Sequence, residues 1–292
     1  MRKLGLYLLV TFTVLGSLLA VTGCQSQAIS AALEPQERLR VATTTSLYDT
    51  GLWGYLEPMF EEEYDVELDV LYAGTGIALE YGRRGDVDVI AVHSKSREEQ
   101  YVTEGYGVER VPFAYNNFLI VGPAADPAGI TGMTPEDAFV KLAEDGAASF
   151  ISRGDDSGTH GKEKAIWENA GYDYEAVRAV GGWYVEAGRG MGPTLLMASE
   201  KQAYTLTDLG TSLSYKGSVE LVPIVEQGSS LLNVYSVIAG NPEQNPKVKH
   251  EMAINMVDFL TTPEIQELIG EYGKEEFGQS LFIPCAGAEP TS

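Results

Sequence analysis

Cysteine and histidine are scarce in this sequence: the cysteines are Cys24 and Cys285, and the histidines are His93, His160 and His250. If Cys24 is lipidated, as argued below, Cys285 has no partner in the chain, so no disulfide framework holds the protein together. The three histidines show no metal-ligand spacing and Cys285 stands apart from them, so no protein-coordinated cation and no cofactor are expected. Positive charge is also short, with 20 Lys and Arg against 42 Asp and Glu and a formal net charge of -22. Such a surface excludes nucleic acid and anionic lipid as partners. It would equally repel an anionic ligand, so an anion site here must supply its own local field; the acidity itself is explained by solubility or by a salty exterior. A G-x-S-x-G elbow is missing as well, and Ser157, Thr159 and His160 are too close in sequence to form a nucleophile–base geometry, which argues against a hydrolase. Repeats and low-complexity tracts are absent too.

What is present begins with an export pattern. Arg2 and Lys3 precede an uncharged apolar run from Leu4 to Ala20, and Val21-Thr22-Gly23-Cys24 follows as a small-residue cleavage site ending in cysteine. Residues 1–23 are therefore expected to be a signal peptide and Cys24 a lipidation site; the alternative is an uncleaved apolar anchor, since about 20 such residues can span a bilayer. In either case the rest of the chain lies outside the membrane. Residues 24–38 are small and polar, with Pro35, and make a flexible tether. About 255 residues then remain, enough for a substantial core and for two lobes.

The folded part starts with an apolar strand at Leu39–Ala42, then a helical pattern from Gly51 to Tyr64 with Leu52, Tyr55, Leu56, Met59 and Phe60 on one side. A strand at Val66–Leu71, a helix opened by Gly74-Thr75-Gly76 and a strand at Asp88–Val92 follow, an alternation that implies parallel pairing in an α/β sheet. After a long strand from Arg110 to Gly122, a second α/β set runs to about Gly228. It has a helix over Thr134–Asp145, with Thr134 as N-cap and Pro135 at the first helical position. Then come a strand at Ser149–Ser152, a helix at Ser157–Asn169 and a strand at Ala203–Thr207. Leu231–Ala239 is extended, and Pro246–Gly270 is helical with a break at Pro263. A chain that leaves one α/β unit, builds another and returns predicts two lobes joined by crossings near Tyr115–Phe118 and Asn233–Tyr235. Lobe 1 would be 39–117 with 234–292, lobe 2 would be 118–233, and the ligand would sit in the cleft between them.

The strongest constellation is Arg153-Gly154-Asp155-Asp156-Ser157-Gly158-Thr159-His160, between a strand and a helix. Ser157 and Thr159 offer hydroxyls, Gly158 permits close backbone approach, and the helix start offers unpaired N–H groups and a partial positive charge, all suited to an anion. Arg153 adds a fixed charge with a forked donor geometry; the plainer alternative is an ordinary N-cap beside an exposed Arg–Asp pair. Thr43-Thr44-Thr45-Ser46 places four hydroxyls at another strand-to-helix junction, where a polar turn with one N-cap is the plainer alternative. Gly74-Thr75-Gly76 is a third junction of this kind. In the first turn of its helix, His160 is expected to stay uncharged. Trp53, Trp167 and Trp183 are assigned to the core or the lobe surfaces.

At these residues the sequence resembles a known family. R-x-D-x-S-G-T at Arg153–Thr159 looks like the anion loop of periplasmic phosphate-binding proteins. The longer ISRGDDSGTH, with VATTTS upstream, resembles the tungstate-binding proteins of ABC importers more closely. YAGTGIALEYGRRGDVDVIAVH, YNNFLIVGP, GRGMGPTL and AYTLTDLGT extend the resemblance over nearly all of Leu39 to Asn241. The resemblance implies a type II periplasmic-binding-protein fold that closes on its ligand. It places the ligand on Arg153, Ser157, Gly158 and Thr159, on Thr44, Thr45 and Ser46, and on Thr75, with Asp155 holding Arg153 rather than touching the anion.

In the phosphate binders an aspartate follows the third strand; here that region reads Val89-Ile90-Ala91-Val92-His93-Ser94. A site made only of donors suits an ion with no proton to give, such as tungstate, molybdate or sulfate, rather than phosphate. A second departure is Arg189, where the family pattern suggests a glutamine; it is expected to be solvated. The function expected is therefore a monomeric lipoprotein receptor, not an enzyme, that captures a tetrahedral oxyanion and delivers it to a permease and its ATPase. A receptor for molybdate or sulfate, or an anion sensor without a transporter, is the alternative.

Overall fold

The computed structural model describes residues 37–290. The signal segment, the Cys24 site and all of the tether except residues 37 and 38 lie outside them, as does the side chain of Ser46.

Strand β1 (Glu37–Thr44) is followed by a short α1 (Thr45–Asp49), α2 (Leu52–Tyr64), β2 (Val66–Ala73), α3 (Thr75–Arg84), β3 (Val89–Val92) and α4 (Lys95–Thr103). The long β4 (Val111–Pro123) leads into α5 (Pro135–Asp145), β5 (Phe150–Ser152), α6 (Gly158–Asn169) and α7 (Tyr174–Val180). Next come β6 (Tyr184–Glu186), α8 (Met191–Glu200), β7 (Thr205–Asp208), α9 (Leu209–Ser214) and β8 (Leu221–Val225). Strand β9 (Leu232–Ala239) returns the chain, and α10 (His250–Thr261), α11 (Pro263–Glu271), α12 (Lys274–Phe277) and β10 (Ile283–Pro284) finish it.

The main sheet has the order β10-β4-β9-β3-β1-β2, and β7 and β8 both pair with the far end of β4. Strands β1 and β3 are parallel, Val41 opposite Val89, as the strand–helix alternation predicts. Strand β3 is short, but all four of its residues are buried between β1 and β9, which explains its uninterrupted apolar sequence. Strands β4 and β9 run antiparallel, with Tyr115 opposite Val234 and Asn116 opposite Asn233. The two predicted crossings are thus hydrogen-bonded neighbours. Side chains reinforce the pairing, for Asn233 Nδ2 donates to Asn116 Oδ1 at 2.9 Å.

Apolar side chains gather on either side of that pairing. One buried cluster joins Leu39, Trp53, Phe60 and Phe113 with Tyr235, Phe259 and Phe282. Another is built around Phe118, Phe139, Phe150, Trp167 and Leu231. In α2 the buried face is Leu52, Trp53, Leu56 and Phe60, while Tyr55 is exposed. The expected stripe is therefore rotated toward Trp53, whose indole N–H donates to Thr43 Oγ1 at 3.0 Å. Thr134 caps α5 by accepting from Asp137 N at 3.1 Å, with Pro135 in the first turn, as expected. The last long helical pattern starts at His250 rather than Pro246, because Asn245 Oδ1 accepts from Lys247 N and holds a turn there. Thr262 ends α10 and caps α11 directly before Pro263. The short elements α4, α7, β6, α8, α9 and β8 carry too little periodicity to be read from the sequence.

Candidate anion-binding site

Five chain turns converge where strands end and helices begin. Strand β1 ends at Thr44, whose Oγ1 caps α1 by accepting from Leu47 N at 3.3 Å. Gly74 starts α3, Ser157 caps α6 by accepting from His160 N, Gly190 starts α8, and Asp208 caps α9. All five turns contribute to the walls of one cavity of ≈ 760 Å³, through Thr45, Gly74, Ser157, Gly190 and Gly210 among others. Each helix start brings N–H groups without intrahelical acceptors and a partial positive charge, both of which favour an anion, although at α9 the Asp208 carboxylate already accepts from Thr211 N.

Arg153 supplies the fixed charge. Its side chain is 8% exposed, and its Nε and Nη2 donate to Asp155 Oδ2 at 3.1 and 2.5 Å. Burial alone would raise the Asp155 carboxyl, but the Ser157 hydroxyl and the Arg153 charge outweigh it and hold it below the usual carboxylate range. The loop that carries these groups has two residues in the left-handed region, Gly154 at φ 59° and Asp156 at φ 55°. At Gly154 a Cβ would lie 2.6 Å from Glu186 Cβ, so this position needs glycine for space as well as for conformation.

His160 pins the same loop from behind. Asp156 N donates to its Nδ1 at 2.9 Å, which leaves the proton on Nε2, 2.5 Å from Tyr174 Oη; Tyr174 in turn donates to Glu186 at 2.7 Å. Burial, and after it the Lys164 charge, lower this imidazole, so it stays neutral beside the helix start, as the sequence suggests.

The hydroxyl-rich turn after β1 is divided in its duties. Thr43 is consumed by the fold, donating to Ala91 O at 2.9 Å and accepting from Trp53. Thr45 lines the cavity, whereas Thr44 is 3% exposed. Ser46 lies in α1, with its side chain outside the described residues. Thr75 is 1% exposed, and its Oγ1 is buried with no hydrogen-bond partner among the described residues. An orphaned buried hydroxyl costs about 1–3 kcal/mol, which marks this one as waiting for an acceptor. Gly158 packs on the ring of His93: a Cβ there would lie 2.8 Å from His93 Cε1. His93 is anchored to the β4–β9 pairing through Asn233 Oδ1, 2.9 Å from its Nδ1, and burial pushes its imidazole down to about 4. Thr159 is buried in the first turn of α6, at 3% exposure.

Residues 30–264 match the PBP superfamily domain. A tungstate-binding protein from Peptoclostridium acidaminophilum is 45% identical over 275 residues, covering 92% of this chain and 94% of the relative. This chain belongs to the tungstate-binding-protein family of the PBP superfamily. A solved tungstate-binding protein from Desulfovibrio alaskensis G20 superposes with a TM-score of 0.77 at 42% identity, covering 86% of this chain and 99% of that one. The structure described as the tungstate ABC transporter from Geobacter sulfurreducens gives 0.71 at 48% identity, covering 81% and 99%. The fold is thus the two-lobed α/β architecture of periplasmic binding proteins.

Against this family background, Thr45, Arg153, Asp155 and Ser157 line the cavity, and Thr44, Thr75, Gly158 and Thr159 belong to the turns that form it. Parts of the wall that escaped the sequence reading include Asp49, Arg97, the Gly190–Pro193 turn and the Gly210–Thr211 turn. The glycine-rich string at residues 188–193 was the available signal for one of them, a helix start without side-chain bulk. Arg189 itself is exposed and does not line the cavity. The region after β3 lacks a carboxylate as expected, but the wall as a whole does not. Asp49 faces the same space, and partial burial together with the Asp208 charge raises its carboxyl, against the pull of Arg153. The expectation of a wall made only of donors is therefore corrected by a residue brought in from α1.

Proposed function

We propose that this protein is an extracytoplasmic receptor that captures tungstate between two lobes and hands it to an ABC permease, making and breaking no bond. The observation that carries this reading is the convergence of five helix starts and the Arg153 guanidinium on one cavity, in a chain so similar to tungstate-binding proteins. A tetrahedral dianion needs donors from several directions, and helix starts provide them without the cost of reorienting side chains. Charge-assisted hydrogen bonds contribute about 1.5–3 kcal/mol each. Several of them, less the cost of ordering, support nanomolar binding or tighter.

The lobes are 39–117 with 234–292, and 118–233. Thr45, Gly74 and Arg97 face the ligand space from the first lobe, and Arg153, Ser157 and Gly190 from the second. Thr44, Thr45, Ser46, Thr75, Arg153, Ser157, Gly158 and Thr159 are the ligand set, with Asp155 fixing the arginine. Lipidation at Cys24 holds the monomer at the outer face of the membrane. Among the described residues no helix is long and apolar enough to cross a membrane.

The test is calorimetric titration of residues 38–292 with tungstate, molybdate, sulfate and phosphate. Tungstate should bind tightly, molybdate nearly as well because the two ions are almost isosteric, and sulfate and phosphate far more weakly. Absence of binding by every oxyanion would overturn the function; a preference for sulfate would reassign the ligand.

A further inference from the structure

Helix α6 starts at the cavity and carries a buried carboxyl group in its second turn. Glu163 is 2% exposed, and among the described residues no Lys or Arg pairs with it. Neutral donors fill its two oxygens instead. Ser152 Oγ lies 2.6 Å from Oε2; Tyr184 Oη and Trp167 Nε1 lie 2.6 and 3.2 Å from Oε1. Two of these partners lead directly to the Arg153–His160 loop. Ser152 Oγ accepts from Gly154 N at 3.2 Å, beside Arg153. Tyr184 Oη lies 3.2 Å from Tyr174 Oη, the phenol that holds His160 and, through it, Asp156 N.

The surroundings of Glu163 contain little that could neutralise it. From α6 the nearby titratable group is His160, from α7 it is Tyr174, and from β6 they are Tyr184 and the carboxylate of Glu186, which is itself paired with Arg178. Strand β5 presents Ser152, while Thr205 of β7 spends its hydroxyl on Ile151 O and Phe139 of α5 packs on the Trp167 ring. Burial pushes the Glu163 carboxyl up to about 7, the hydrogen bonds from Ser152, Tyr184 and Trp167 oppose this, and the charge of Glu186 adds to it.

We propose that Glu163 is the positioning residue of the anion loop, and that the protein takes up a proton on this carboxyl group when it binds its anion. The proposal rests on the anion-binding function put forward above. A dianion seated on the loop adds two negative charges close to a buried carboxylate that has no counter-ion, and protonating the carboxylate removes that repulsion. The hydrogen-bond pattern tolerates the proton. A hydrogen on Oε2 points at Ser152 Oγ, which reverses its present donation; the Ser152 hydroxyl still accepts from Gly154 N and turns its own hydrogen to the neighbouring Tyr184 Oη, while Tyr184 and Trp167 continue to donate to Oε1. Affinity therefore falls as pH rises, because the ionised form must first take a proton from water.

The experiment is calorimetry of the full-length protein with tungstate, which stays a dianion over the range used, in pairs of buffers that differ in ionisation heat. The wild type should take up about half a proton near pH 7.5, and its affinity should fall roughly tenfold between about pH 6.5 and about pH 8.5. In Glu163→Gln the amide keeps the shape, donates to Ser152 and accepts from Tyr184 and Trp167, so uptake should vanish and affinity should stay level over the same range. If that variant does not fold, a protonated-carboxyl band gained in the infrared difference spectrum on adding tungstate, in Asp49→Asn as in the wild type, gives the same answer; a band lost in Asp49→Asn places the proton on that wall carboxyl and overturns the inference. Tungstate binding without proton uptake overturns this inference and leaves the receptor function intact. Uptake that persists in Glu163→Gln also overturns it, placing the proton on His160 or elsewhere. No tungstate binding at any pH overturns both.

Discussion

Replacing Arg153 by lysine keeps its charge and removes its geometry, so this substitution separates the two contributions to anion binding. A guanidinium has five N–H donors in a plane; here Nε and one Nη2 hydrogen are committed to Asp155 Oδ2. Among the described residues Nη1 has no partner, so its two hydrogens and the second on Nη2 remain for a ligand. An ammonium has only three donors, all at one point, and cannot serve both Asp155 and two oxygens of an anion. Losing two charge-assisted bonds and regaining part of one costs about 3 kcal/mol, roughly a hundredfold in affinity. Arg153→Ala should lose more, because Asp155 is left partly buried, without its partner, facing the anion. Removing that carboxylate as well, in Arg153→Ala with Asp155→Ala, should recover part of the loss, although Asp155→Ala alone weakens binding. The assay is displacement titration with tungstate for the four variants and the wild type, the alanine variants being read as a double-mutant cycle. Arg153→Lys within threefold of the wild type, or additive effects at the two positions, would refute the forked-donor account.

The remaining predictions concern single groups. Thr75→Val should leave the unliganded protein as stable as before, or stabler by about 1 kcal/mol, because it removes a buried hydroxyl without a partner among the described residues, yet it should weaken tungstate binding about tenfold; a stability loss without an affinity loss would show that Thr75 Oγ1 serves the fold. Gly158→Ala puts a Cβ 2.8 Å from the His93 ring and should cost about 1–3 kcal/mol of stability as well as affinity, whereas Gly161→Ala, with nothing within 4 Å, should stabilise α6 slightly; equal behaviour of the two in chemical denaturation would refute the packing argument. Because the folded-state value of Glu163 is raised from 4.5 to about 7, the folded form binds the extra proton, so its contribution to stability is complete below about pH 4.5 and is lost as pH rises through 7, by roughly 3 kcal/mol in all. Urea midpoints across that interval should slope less in Glu163→Gln, and an unchanged slope would rule Glu163 out as the source. Phosphate should compete poorly with tungstate; if it competes as well as molybdate does, Asp49→Asn should abolish that competition, since Asp49 is the wall carboxylate without an Arg or Lys partner among the described residues.

What could be read in advance was mostly local chemistry. The R-x-D-x-S-G-T loop announces itself because an arginine, hydroxyls and a small residue at a strand-to-helix junction have few other uses, and Arg153, Asp155 and Ser157 do share one cavity. Thr134 with Pro135 and the break at Pro263 were equally legible, since caps and prolines act on the nearest few residues. The rotation of α2 toward Trp53 was not legible, because it depends on Thr43, ten residues earlier, being turned to accept the indole N–H.

By itself the sequence determined the alternation of strands and helices, the composition of the anion loop and, through its similarity to other chains, the family. Tertiary structure alone decided which groups share the cavity. It brought Asp49, Arg97 and the starts of α8 and α9 to the loop at Arg153, and it set Gly158 against His93. It also decided which hydroxyls are spent, on the fold at Thr43, and which are kept, at Thr75, and it gave Glu163 its raised carboxyl. The physical reason is common to all of these. Periodicity and capping depend on neighbours within a turn or two, whereas burial, electrostatic field and orphaned hydrogen bonds depend on whatever the fold carries into contact from tens or hundreds of residues away.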